Sequence, residues 1–344
     1  KNIPKIPSFK FTLVPILIAI YIYWYQQSQM SLSSVKTANA IAKVAGKQAV
    51  VVGATAGIGK GVAVRLAQSD VSVTIIGRNE KRGQEVVKEL KASGKGEHNF
   101  VQMDASLLKN AAQFAKDYAK THDKLDYLVL SQGIATFQGY TPTEEDLDVK
   151  LALHYYSRVA FATQLAPLLE KSDDARVLSV LSGGIHSAYA NYEKDPDLSK
   201  NYGLKDVADA AGFYNDIAAD KFTETFPKIT FIHQAPGFIA SSWGTDLPWY
   251  AKGPTRFLQL FATSVETCAE YMVNSLFNDK FKGGFHILLN KGGAGKPTSL
   301  HEQAKDFVWQ HTLEVLQRCI GNDFVLNAVN ASNKSKSSNS KQKK

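Results

Sequence analysis

The sequence predicts an α/β fold, a doubly wound parallel sheet in three α/β/α layers, preceded by an apolar N-terminal segment. Three observations predict it. Seven short apolar runs, several rich in β-branched residues, are spaced along residues 48–289. Helix-length segments with apolar residues at helical spacing lie between them. A glycine cluster follows the first run directly and opens a helix. Strands buried on both faces read as near-continuous apolar runs, and parallel neighbours need helical crossovers between them.

Along the chain, residues 11–25 are uncharged, follow Lys1, Lys5 and Lys10, and end in a Tyr/Trp cluster. A spanning helix wants about 20 apolar residues, but aromatic rings settle at a membrane interface, so residues 1–27 read as a membrane anchor. A cleaved signal peptide and a surface-lying helix are the alternatives. Lysines flank both sides, so the facing side stays open; the endoplasmic reticulum is the membrane this reading points to. Residues 28–45, rich in Ser and Ala, read as a tether, and residues 46–326 as the folded domain. The strand-like runs are 48–52, 71–76, 99–103, 125–130, 176–181, 229–233 and 285–289. Helical periodicity marks 61–68, 81–93 and 107–122. The stretch around 240–260 fits no such unit and reads as a lobe over the ligand. Residues 327–344 are almost wholly Asn, Ser, Lys and Gln, too polar to offset the entropy of ordering.

Charge and cysteine content narrow the function. The net charge of +8 comes from the ends: residues 11–333 carry 32 basic and 32 acidic side chains. A nucleic-acid surface should be basic within the fold, so that partner is not expected. Cys268 and Cys319 show no metal-ligand spacing and read as ordinary buried thiols, so no metal is expected.

The glycine cluster is Gly53-Ala-Thr55-Ala-Gly57-Ile58-Gly59. Glycines there permit a tight turn and a close approach to a pyrophosphate, whose charge meets the helix N-terminus. With this loop in its strand–loop–helix context, the chain resembles the short-chain dehydrogenase/reductase family, a Rossmann-like fold, over residues 46–290. Asp104 resembles the family's strand-end contact to adenine. Ser131-Gln132-Gly133 stands where the family has Asn-Asn-Ala-Gly. Ser182 resembles the catalytic serine at a strand end, and Pro236-Gly237 the turn beside the nicotinamide. The resemblance also implies dimers or tetramers formed through helices flanking the site. The second strand ends Gly77-Arg78-Asn79, with no carboxylate for a ribose 2′-hydroxyl and an arginine suited to a 2′-phosphate. NADP(H) is therefore expected over NAD(H).

The family's chemistry calls for Tyr-x-x-x-Lys on one helix face, where the ammonium lowers the phenol's pKa. No such motif lies between Ser182 and Pro236. Tyr202 and Lys205, three apart at the start of a helical stripe, are the catalytic expectation, with Ser199 or Asn201 as the helix cap. Tyr214, followed four residues later by Ala218, reads as a core aromatic and stays the second candidate. His154 stands about where the family's relay asparagine falls, and His233 ends the sixth strand with a structural role favoured. Two readings follow. One is an NADP(H)-dependent oxidoreductase moving hydride between nicotinamide and a carbonyl or alcohol, with a lipophilic substrate suggested by Phe238, Trp243, Trp249, Tyr250, Phe257 and Phe261. The other is a catalytically weak nucleotide-binding sensor or scaffold at a membrane.

Overall fold

A computed structural model of the chain describes residues 29–239 and 262–324. The expected anchor at 11–25, the lobe around 240–260 and the tail from 327 lie outside these residues. Among the described residues, no helix is long and apolar enough to cross a membrane.

The strands are Gln48–Val52 (β1), Ser72–Gly77 (β2), His98–Gln102 (β3), Tyr127–Leu130 (β4), Ala175–Val180 (β5), Ile229–Gln234 (β6) and Phe285–Leu288 (β7). They form one sheet in the order β3-β2-β1-β4-β5-β6-β7, and every pairing is parallel. Each coincides with an expected run to within two residues at either end. The chain winds outward from β1 in one direction and from β4 in the other. Their C-terminal ends part at that point, and a crevice there is the usual ligand site of such sheets.

Alternation within each strand divides the core. In β1, Val50 and Val52 face one apolar cluster, while Ala49 and Val51 face the other. Helices Leu108–Tyr118 (α4), Ser157–Leu169 (α5), Leu204–Thr225 (α6) and His301–Ile320 (α8) cover the first face. Helices Leu32–Ile41 (α1), Gly57–Ala67 (α2), Glu80–Ser93 (α3) and Val265–Phe277 (α7) cover the second.

Helix α1 corrects the expectation of a tether over residues 28–45. Ser31 caps it by accepting from the Ser34 N–H at 3.2 Å, as N-cap serines do. Val35 and Asn39 are buried. The Asn39 amide donates to the carbonyl and carboxylate of Glu270 at 2.9 and 2.7 Å and accepts from Asn274 at 2.9 Å. A Ser/Ala-rich composition hid this, because one buried asparagine and one valine secure the helix. Before it, Met30 is held by backbone bonding to Lys291 and by the Tyr271 hydroxyl, which donates to the Met30 carbonyl at 3.1 Å. The chain thus enters the fold beside Pro236, Asn290 and Lys291, which share a surface hollow with Met30.

Candidate active site

The first βα turn is built by the close approach of backbone to backbone. Gly53 has φ +81°, and a Cβ there would lie 2.6 Å from the Gln132 nitrogen. Gly57 has φ +59°. A side chain on Gly59 would strike the Gly53 carbonyl. Each glycine therefore answers a specific steric demand. Ala56, the N-cap of α2, offers no side-chain acceptor to the helix's first N–H groups, so those donors face the crevice.

That crevice is a cleft of about 730 Å³. Ten of the eleven residues expected to hold a cofactor border it: Gly53, Thr55, Gly57, Ile58, Arg78, Asp104, Ser131, Gly133, Pro236 and Gly237. Gly59 lies one step back, in the first turn of α2. Arg78 and Arg82 stand together at one end, past β2. Asp104 is committed to its own turn, accepting from the Ser106 N–H at 2.9 Å and hydroxyl at 2.7 Å.

Toward the other end, the cleft is bordered by His154, Arg158 and Leu181. His154 belongs to a π-helical turn, Ala152–Tyr156, leading into α5. Such turns free backbone groups and recur at functional sites. Here the Asn215 amide donates to the His154 carbonyl at 2.7 Å. The His154 Nε2 accepts from the Ile134 N–H at 3.0 Å. Burial, reinforced by Arg158 and Lys150, pushes its pKa down to about 3, so the ring is neutral. Arg158 was not singled out from the sequence, although a lone arginine in an apolar helix was a usable signal. It is 1% exposed and donates to the carbonyls of Leu153, Val180 and Gln132 and to the Ser179 hydroxyl. Burial lowers its pKa to about 9.

Ser182 follows β5. Its N–H donates to His233 Nε2 at 3.2 Å, while its Oγ is buried without a hydrogen-bond partner. His233 is fully buried and its Nδ1 donates to Asp216 at 2.5 Å. The second Asp216 oxygen faces His186 Nε2 at 2.8 Å. Burial would lower His186, but the Asp216 carboxylate raises its pKa on balance. His233, under burial, is lowered despite the same carboxylate. These three residues, and separately Asp220, His301 and Glu302, are close enough to share an ion. The hydrogen bonds within the first group engage His186, Asp216 and His233, and Asp220 is held by His301 and Lys305.

The expected catalytic pair is not assembled. Tyr202 precedes α6, whose cap is Gly203 and neither Ser199 nor Asn201. Its hydroxyl donates to Asp148 at 3.2 Å, and burial with the Asp148 charge raises its pKa, the reverse of what a proton-donating phenol needs. Lys205 points to solvent and pairs with Asp209 on its own helix. Tyr214 is a core aromatic, its hydroxyl donating to the Pro196 carbonyl at 3.2 Å. The position of α6 that faces Ser182 is Gly212, where a Cβ would clash with Ser182 Oγ and lie 2.6 Å from His186 Cγ. One turn further on stands Asp216. Counting residues back from Pro236 could not find this, because the contacts join segments 17 and 30 residues apart.

A family model described as short chain dehydrogenase matches residues 47–193. The oxidoreductase andH of Emericella variicolor is 32% identical over 239 residues, which cover 67% of this chain and 68% of that protein.

The chain belongs to the short-chain dehydrogenase family.

An oxidoreductase of Emericella nidulans is 33% identical over 221 residues, 63% of this chain; the match spans 66% of that relative's length. Two solved members of similar fold are salutaridine reductase from Papaver somniferum (TM-score 0.54, 19% identity, 70% of this chain and 98% of that one) and an alcohol dehydrogenase from Thermococcus sibiricus (TM-score 0.52, 17% identity, 67% and 89%). Within this short-chain dehydrogenase, the seven-stranded parallel sheet with helices on both faces is the fold shared with those structures.

Proposed function

We propose that this chain is an NADP(H)-dependent oxidoreductase acting on a carbonyl or alcohol. The observation that carries the cofactor is the pair Arg78 and Arg82 at the β2 end of the cleft, where a guanidinium meets a 2′-phosphate by charge-assisted bonding. The glycine turn and the first N–H groups of α2 suit the pyrophosphate, Asp104 borders the adenine end, and Pro236 and Gly237 border the nicotinamide end. NADPH supplies hydride when bound. The chain's own part is to bind the dinucleotide through these groups and to hold the substrate oxygen near Ser182, where a pre-positioned donor stabilises developing charge. The solved Thermococcus sibiricus relative was obtained with 5-hydroxy-NADP.

A lipophilic substrate is supported by exposed Phe137, Ile185 and Phe238, the last bordering the cleft. A Mus musculus relative, 32% identical over 155 residues and matched over 46% of its length, is named a polyprenol dehydrogenase. Membrane attachment through residues 11–25, at the endoplasmic reticulum, and a homodimer complete the proposal; extraction of membranes with alkaline carbonate and light scattering of the purified chain test the two. The second reading, a nucleotide-binding scaffold with little turnover, is favoured by Tyr202 and Lys205, which are held by Asp148 and Asp209 and do not form a pair.

Titration with NADPH and NADH tests the cofactor. Tighter NADPH binding is expected, with Arg78→Ala losing about tenfold or more for NADPH and little for NADH. Equal affinity for both in the wild type would overturn the assignment.

A further inference from the structure

We propose that His186 exchanges the proton of the hydride-transfer reaction, with Asp216 and His233 positioning it. The proposal rests on the oxidoreductase reading above. Three independent observations carry it. The ring of His186 fills the space that a side chain at Gly212 would enter, and Ser182 Oγ borders the same space. That hydroxyl is buried and unpartnered, and a buried hydroxyl without a partner calls for a ligand atom. Both ring nitrogens of His186 face acceptors, Asp216 Oδ2 at 2.8 Å and the Ser187 carbonyl at 3.1 Å, which suits an imidazolium with a proton on each.

The local chain explains the placement. A turn closes from the Ser182 carbonyl to the Ile185 N–H at 2.9 Å, and Gly184 takes φ +71°. The chain therefore doubles back, setting His186 beside the serine four residues before it. Asp216, one turn beyond Gly212 on α6, accepts from both histidines. His233 in turn accepts the Ser182 N–H, which fixes the serine to the same network.

In the reduction direction, the carbonyl carbon takes a hydride from NADPH and the π pair moves onto oxygen. A new O–H bond forms with the proton of His186 Nδ1, which leaves its hydrogen bond to the Ser187 carbonyl. The N–H bond breaks, leaving a neutral imidazole against Asp216. Solvent returns the proton past Ser187, which is exposed. Oxidation of an alcohol runs the same path backward, with neutral His186 taking the proton.

The charged and titratable groups facing His186 are Asp216 and Asp209 on α6 and His233 on β6. The two carboxylates outweigh burial, so the imidazolium persists above the ordinary histidine value. Reduction should fall as pH rises through that pKa.

The test uses the full chain with NADPH and two probe carbonyls, p-nitrobenzaldehyde and 9,10-phenanthrenequinone. His186→Gln is expected to lower kcat about a hundredfold or more, leave NADPH binding within about twofold, and abolish the alkaline fall of kcat. Nitrogen-15 histidine NMR gives a readout without turnover: the His186 resonance should titrate above pH 6.5 in the wild type and move down in Asp216→Asn. Retained kcat and pH profile in His186→Gln, or a neutral His186 ring at pH 6, overturns the proposal. A wild type that binds NADPH firmly but reduces neither probe overturns it too, leaving the nucleotide site standing. A wild type that fails to bind NADPH overturns both readings, so binding alone tells the failures apart.

Discussion

Arg158 shows how a single side chain can knit a site together. A buried guanidinium without a carboxylate partner is costly, and its donors here satisfy three carbonyls and the Ser179 hydroxyl around the cleft floor. Arg158→Met keeps the volume and removes all of those donors. A loss of about 3 kcal/mol or more is expected, since unsatisfied buried acceptors cost about 1–3 kcal/mol each; the midpoint of urea unfolding measures it. His154 gives a pH signature. Its folded pKa, about 3, lies below its ordinary 6.5, so the unfolded chain binds the extra proton first. The stability it contributes is whole above pH 6.5 and is lost as pH falls toward 3. The slope is below about 1.4 kcal/mol per pH unit, because the ring partly opens to the cleft. His154→Gln should flatten that slope in unfolding curves taken between pH 7 and 4. His186 acts with the opposite sign, since its folded pKa is raised: its contribution is complete below pH 6.5 and fades as pH climbs past the folded value.

At the scale of single elements, legibility followed locality. The turn from β1 into α2 was readable because the steric demand on Gly53, Gly57 and Gly59 falls within seven residues. Arg78 was readable for the same reason, being next to the last strand residue of β2. The start of α6 was misread because residues 183–203 separate Ser182 from the helix, leaving the helix's facing residue to be fixed by packing. Tyr202 looked apt by position, yet a carboxylate, Asp148, holds its hydroxyl. Tyr202→Phe should therefore leave kcat within about twofold, measured with the same probe carbonyls. Helix α1 was hidden for a different reason: its composition is bland, and its stability comes from docking on α7. Asn39→Ala removes hydrogen bonds to Glu270 and Asn274, an expected cost of about 1–3 kcal/mol. Amide exchange in α1 should then accelerate more than in the central strands.

For the whole molecule, the parallel sheet was the most legible feature, because seven apolar runs allow few other arrangements. What the runs could not say is which segments meet across the C-terminal ends of the strands. The cleft joins β1, β2 and β4 loops to the end of β6, so a dinucleotide spanning it would clamp both halves of the sheet. NADPH at a hundred times its Kd should stabilise the fold by about 2.7 kcal/mol, raising the melting temperature with the logarithm of ligand concentration. NADH at the same concentration should raise it less.

The entry of the chain at Met30 sets a leash. Only five peptide units separate Tyr25, the last residue of the apolar stretch, from Met30, and even fully extended they reach no more than about 18 Å. Whatever surface holds residues 11–25, the hollow shared by Met30 and Pro236 stays within that reach. In the proposed membrane-attached form, the nicotinamide end of the cleft, which Pro236 also borders, would be moored at its rim.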